Sequence, residues 1–350
     1  MATVDVIVPC YNYGRFLREC VESVLTQSLP DVRVLIIDDA STDTTPIVAH
    51  ELALEDPRVS FIRHAENRGH IATFNEGIAW VSADYMLLLS ADDYLLPGAL
   101  ARAAALMDAH PEVGFTHGRY MKLYPGDPHP VFPKDHGHQR RRIMDGLEFV
   151  SLNGAFNNVA TATAVVRTSL QKQFGGYHPD LPHTADMEMW LRFALHGSVG
   201  FIDTAQAVWR GHEKNMSRTF GGRLFALQQR KAALDRALSS RPRSQLDDPR
   251  YEKLHERLRE NLATGAASLA GAAFNRGETE ECERILAFAV ELWPDVKNTP
   301  QWRRVAWKQR LGLKLWLAIH AIVLAPRRWG SGKRHRQNRE RWHHADESQG

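Results

Sequence analysis

Through its first 120 residues the chain alternates short β-rich runs with amphipathic helical patterns, and this alternation restricts the fold more than any other feature. VDVIV (4–8), VRVLII (32–37), VSFIR (59–63), YMLLL (85–89) and VGFTH (113–117) read as strands. Between the first two, GRFLRECVESVLTQS sets Leu17, Cys20, Val21, Val24 and Leu25 on one helical face. Asp43 and Pro46 mark the start of the next helix. IATFNEGIAWV keeps Ile71, Phe74, Ile78 and Val81 in step, and Pro97–Gly98 open a helix carrying Leu100, Ala103 and Met107. Strands and helices at this spacing require a parallel sheet with helices on both faces. YMLLL is apolar throughout, as a strand covered on both faces must be. Ligands of such sheets sit at the carboxyl ends of the strands.

Beyond residue 120 the pattern changes. Residues 121–155 are rich in proline and charge and read as a loop, either beside a site or a plain surface insertion. TATAVVR and GFIDTAQAVWR read as strands, with a helix over ADMEMWLRFALHG between them. From 221 to 300 the pattern is helical, and two helices joined at NRGE resemble one tetratricopeptide-type hairpin. Residues 301–350 form an amphipathic and then basic tail. Three divisions follow: an α/β domain over 1–220, the helical region and the tail. The segment 311–344 reads as a packed helix with a solvated end, as a peripheral contact with anionic membrane, or as a nucleic-acid tail. No run of about 20 apolar residues is present. With 43% hydrophobic residues a full core can form, and a net charge of +3 gives no argument for a nucleic-acid partner. Three cysteines without metal or disulfide spacing fit a reducing compartment, and the N-terminus enters a strand without a secretory pattern. A cytoplasmic location is expected.

Each of the first four strands ends in a polar cluster: PCYNYG, DDASTD, RHAENRGH and SADD. Pro9, Tyr11, Asn12, Asp38, Asp39, Asn67, Arg68, Asp92 and Asp93 are thereby gathered on one sheet edge. Taken singly, such Asp and Asn residues are turn and cap formers. Four clusters converging on one edge favour a site. Adjacent carboxylates such as Asp92 and Asp93 stay ionised together only beside a compensating charge. Mg²⁺ or Mn²⁺ supplies one with oxygen ligands, commonly one or two carboxylates plus substrate phosphates.

VDVIVPCYNYGRFLRECVESVLTQS, VLIIDDASTDTT, NRGHIATFNEGI and YMLLLSADDYLLPGAL, in that order, resemble the nucleotide-binding half of the family 2 glycosyltransferases. The resemblance covers roughly 4–215 and implies a GT-A type Rossmann-like, mostly parallel sheet. It implies an inverting transferase using a nucleotide-sugar donor, expected to be a UDP-sugar, with a glycan, lipid-linked or small-molecule acceptor. It assigns the uracil contact to Asp39 with Asp38 beside it, and lets Pro9, Tyr11 and Asn12 wall the base and ribose. Asn67 and Arg68 lie on the donor side, and Asp92 and Asp93 hold the cation. Ser90 stands where the family's DxD motif commonly has its first Asp, so a ribose contact passes to Ser90 or Asp92 or is lost. HTADMEMWLRFALHG resembles the family's base-bearing helix start, which gives Asp186 the general base, with Glu188 and Asp180 as competitors. WRGHEKNMSR resembles the segment after the last strand, with Arg210 and His212 near the diphosphate or metal. The alternatives are a catalytically degenerate domain recruiting partners through its helical region, and a nucleotidyltransferase. The latter would want a glycine-rich phosphate loop after the first strand, which PCYNYGRF does not resemble.

Overall fold

The computed structural model describes residues 2–130, 140–213, 215 and 221–318. Its contacts divide the chain into two units: 1–219 with 233–246, and 220–232 with 247–350. The first unit is built on β1 (Val4–Cys10), α1 (Gly14–Leu25), β2 (Val32–Asp38), α2 (Thr45–Glu55), β3 (Val59–Arg63), α3 (His70–Trp80) and β4 (Tyr85–Leu88). Then come β5 (Tyr94–Leu95), α4 (Ala99–Ala109), β6 (Val113–Leu123), β7 (Arg141–Met144) and α5 (Gly146–Asn153). The unit continues with β8 (Val165–Arg167), α6 (Thr168–Phe174), α7 (Ala185–Ala194) and β9 (Ser198–Arg210).

The sheet runs β3-β2-β1-β4-β8-β6-β9-β5, with β7 on β9. Its long pairings, β1–β2, β2–β3 and β6–β9, are parallel, while β8, β5 and β7 add short antiparallel contacts. The expected α/β fold is therefore present. Because β1 to β4 are parallel, their carboxyl ends share one edge, which places the four polar clusters together. Val6, Val8, Val34, Ile36 and Leu87 pack with Leu17, Val21 and Val24 of α1 and Leu100 and Met107 of α4. The helical stripes read from the sequence are thus core-facing, each buried side chain contributing on the order of 2 kcal/mol. Gly14 is required by packing: a Cβ there would lie 2.6 Å from the Thr45 amide nitrogen.

Several local expectations change. TATAVVR is a single 3₁₀ turn (Thr161–Thr163) followed by the three-residue β8, because Thr163 and Ala164 donate back to Ala160 and Thr161. The region expected to be loop contains the end of β6, all of β7 and α5; the Asp145 side chain caps α5 by accepting from the Glu148 amide. Residues 131–139 of that region lie outside the described ones.

On β6, His117 is buried against Phe115, Phe149 and Phe201, and neither ring nitrogen has a hydrogen-bond partner among the described residues. Burial lowers its pKa from 6.5 to about 4. The unfolded chain takes up this proton near pH 6.5 and the folded chain does not, so stability is lost as pH falls from 6.5 toward 4. At pH 4.5 the loss is roughly 2–3 kcal/mol. Urea titrations at pH 7 and 4.5 should show this much less pH dependence in His117→Leu than in the parent. Equal dependence in both would exclude His117 as its source.

The second unit contains the start of α8 (Arg223–Ser239), then α9 (Pro249–Asn275), α10 (Thr279–Leu292) and α11 (Pro300–Leu311). Leu262, Ala263, Ala266, Ala267 and Ala270 of α9 pack with Cys282, Ile285 and Ala289 of α10 and Val305 of α11. The chain turns between α9 and α10 at Gly277, whose φ of +82° is in the left-handed region that favours glycine. Of the 311–344 segment only 311–318 is described, and no helix among the described residues is long and apolar enough to cross a membrane.

Candidate active site

The carboxyl edge of β1, β2 and β4 opens into a cleft of about 830 Å³. Pro9, Tyr11, Asn12, Asp39, Asn67, Asp92, Asp93 and Asp186 all line it. Asp38, Arg68, Arg210 and His212 do not.

Asp38 is fully buried behind the edge. One oxygen accepts from the Ser41 amide and the other faces the Arg63 guanidinium at 3.3 Å, so it shapes the turn after β2. Asp39 is presented to the cleft by a strained backbone, with Ala40 at φ 60° and Asn12 opposite at φ 59°. Asn12 stitches the two loops: its amide donates to Ser41 Oγ and its Oδ1 accepts from the Thr42 amide. Asp39 Oδ1 accepts from the Arg68 amide at 2.8 Å and meets His64 Nδ1 at 2.7 Å. Its Oδ2 accepts from the Gly69 amide at 2.9 Å, and the φ of +82° at Gly69 helps aim that amide. A carboxylate offers about four lone-pair sites. Three are taken, leaving one on Oδ2 for a ligand donor. The Arg68 side chain pairs with Glu76 at 2.5 Å, and the same carboxylate meets His64 Nε2 at 3.1 Å. Arg68 therefore reaches the site through its backbone amide.

Asp92 and Asp93 form the floor, 6% and 5% exposed. Asp92 Oδ2 meets His212 Nε2 at 3.0 Å and accepts from Asn215 Nδ2 at 3.2 Å. Asp93 Oδ1 accepts from the Arg210 amide at 2.9 Å, leaving Oδ2 without a donor among the described residues. Burial holds both carboxyls above the usual range, and the Asp92 charge raises Asp93 further. His212 is an orienter of Asp92: its ring stacks on Phe16 at 5.3 Å and meets Tyr13 edge-on. Arg210 ties the floor to α1, donating to the Asp92 carbonyl, pairing with Glu19 and lying over Phe16 and Tyr94. A divalent cation fits this floor by charge. Two buried, mutually repelling carboxylates, one with an undonated oxygen, are an oxygen-donor set that a cation would relieve. Among the described residues no three His, Cys, Asp or Glu side chains have metal-holding geometry. The floor thus supplies at most a partial ligand shell, and substrate phosphates and water would complete it.

Asp186, which lines the same cleft, sits in the first turn of α7. Its Oδ2 accepts from Asn157 Nδ2 at 2.8 Å and its Oδ1 from the Met187 amide at 2.7 Å. Burial outweighs these bonds and raises its pKa above the ordinary value. The N-terminal end of a helix favours the ionised form, and burial overcomes that too. Met187, Trp190, Leu191 and Ala194 anchor α7 in the core. The competing carboxylates are elsewhere: Glu188 is buried against Arg192, and Asp180 is exposed and paired with Arg236.

Other lining residues were not read from the sequence: His70, Thr73 and Phe74 of α3, Tyr120 and Lys122 of β6, Asn157, Thr161 and Trp209. Asn215 was present in the WRGHEKNMSR stretch but had no role there. None carries a local signal, since each is brought in by pairing or packing across the sheet.

The sheet order and the cleft at its carboxyl edge agree with the GT-A fold that the sequence resemblance implies. Among solved structures, TarS 1–349 of S. aureus in complex with UDP-GlcNAc has a TM-score of 0.56 at 17% identity, over 89% of this chain and 92% of that one. Residues 5–174 match the family described as Glycosyl transferase family 2. The putative glycosyltransferase EpsE of Bacillus subtilis is 27% identical over 201 residues, 57% of this chain and 69% of its own length. Glycosyltransferase GlyG of Streptococcus pneumoniae is 35% identical over 91 residues, 26% of this chain and 30% of its own length. Residues 5–174 thus carry a likeness to the family 2 glycosyltransferases, and the fold is GT-A.

Proposed function

We propose that this glycosyltransferase moves a sugar from a UDP-sugar donor to an acceptor hydroxyl with inversion at the anomeric carbon. One observation carries the reading: Asp39, the Asp92–Asp93 pair and Asp186 face a single cleft, with Asp186 held above its ordinary pKa. The free lone pair of Asp39 Oδ2 suits the N3–H of uracil, and Pro9, Tyr11 and Asn12 wall the base and ribose. A structural relative holds UDP-GlcNAc, which supports uridine as the nucleoside. Asp186 takes the proton of the acceptor hydroxyl. The oxygen then bonds the anomeric carbon as the bond to the diphosphate oxygen breaks, and that electron pair leaves with UDP. Asn157 holds the Asp186 carboxylate in place. Asp92 and Asp93 would hold Mn²⁺ or Mg²⁺, which supplies Lewis-acid neutralisation of the leaving diphosphate. The acceptor is a glycan, lipid-linked or small-molecule hydroxyl.

A thermal-shift screen of nucleotides with Mn²⁺ tests the donor, with UDP and UDP-sugars expected to raise Tm above the shift given by CMP or ADP. No shift with any nucleotide would reject a nucleotide-sugar enzyme. Release of UDP from the stabilising donor, measured with and without acceptor, separates an enzyme from a degenerate domain, which releases none.

A further inference from the structure

The second unit carries a surface that sugar transfer does not use. From Pro300 to Ala318 the chain has five Lys or Arg and no Asp or Glu. On α11, Trp302 and Val305 turn to the core of the unit. Arg303, Trp307 and Arg310, spaced i, i+4, i+7, lie exposed, and exposed Arg304 neighbours Trp307 at i,i+3. Trp307 is 54% exposed. Helical turns over 313–318 follow, where Leu315 is 52% and Leu317 37% exposed and Lys314 is exposed beside them. These groups are not a fraying end. Trp316 meets Trp307 edge-on at 5.8 Å, and Trp316 Nε1 and Lys308 Nζ both donate to Asn275 Oδ1 of α9 at 2.9 Å.

Singly exposed apolar side chains are ordinary, but a cluster of Trp and Leu interleaved with cations and no anion is a recognition surface. We propose that this surface docks on an anionic lipid bilayer, with α11 in the headgroup plane. An indole seats at headgroup depth, leucines enter the acyl boundary and long basic side chains reach lipid phosphates. A nucleic acid would satisfy the cations and leave Leu315 and Leu317 in water, so a bilayer is the better complement. Docking is separate from the transfer reading, because it is measured without donor or acceptor.

The test is sedimentation of the full chain with vesicles of phosphatidylcholine alone or with 30% phosphatidylglycerol. The protein should pellet only with the anionic vesicles and be released by 0.5 M salt. Arg303→Glu with Arg304→Glu, and separately Trp307→Ser with Leu315→Ser, should each weaken partitioning about tenfold or more while Tm and nucleotide binding stay as in the parent. Absence of pelleting with anionic vesicles would overturn the proposal. So would equal pelleting of the variants and the parent, or binding to an RNA homopolymer without binding to vesicles.

Discussion

Asp186→Asn should lower sugar transfer by about 10²–10⁴-fold while UDP affinity stays within twofold of the parent. The substitution keeps the size of the side chain and the bond from the Met187 amide, Asn157 can turn its own amide to accept from the new NH2, and the capacity to take a proton is removed. Because burial raises the Asp186 pKa, its basic form is lost at a higher pH than for an exposed carboxylate. The acid limb of the parent's kcat profile should therefore fall above the usual carboxylate range and be missing from the residual activity of the variant. Retained turnover in Asp186→Asn would remove this residue as the base.

Asp92→Asn should weaken UDP binding in Mn²⁺ by about 100-fold, equivalent to ~2.8 kcal/mol. The effect should shrink to a few-fold in EDTA, because the hydrogen bonding to His212 and Asn215 can be kept by an amide oxygen. Asp92 is the cleaner probe of the pair, since Asp93 also accepts from the Arg210 amide and its loss would loosen the end of β9. Both carboxyls are raised, and a cation needs them ionised, so calorimetric affinity for UDP with Mn²⁺ should fall as pH is lowered and binding should release protons. Parent-like affinity of Asp92→Asn in Mn²⁺ would exclude the metal assignment.

The parts of this molecule that were legible in sequence are those set by local period and short connections. Leu17, Val21 and Val24 on α1 are spaced to bury one face, and they do; Met187, Trp190 and Leu191 on α7 are buried too, in a helix whose residues from Met187 to Ala194 are all buried. Parallel strands with helical crossovers put Asp39 and Asp92 on one edge, because the carboxyl ends of consecutive parallel strands coincide. Arg68 and His212 show where such reading ends. Their types suit a phosphate, but Glu76 claims one guanidinium contact and Asp92 and Phe16 claim the imidazole. Those partners are 8, 120 and 196 residues away in sequence. Glu76 lies in the same NRGHIATFNEGI stretch as Arg68, but no short window shows His212 with Asp92 or Phe16.

The sequence by itself therefore determined the class of fold, the sheet edge where the candidate cleft opens and the carboxylates available there. Side-chain periodicity and strand direction are local properties, and they suffice for that. Only the tertiary structure decided that Asp38 turns behind the edge and Asp39 into the cleft. It alone decided that Asn157 steadies Asp186 and that burial outweighs the helix end at that carboxyl. Solvent exclusion and hydrogen-bond pairing depend on which distant segments meet, and that is settled only when the sheet closes with β8, β6 and β9 in place.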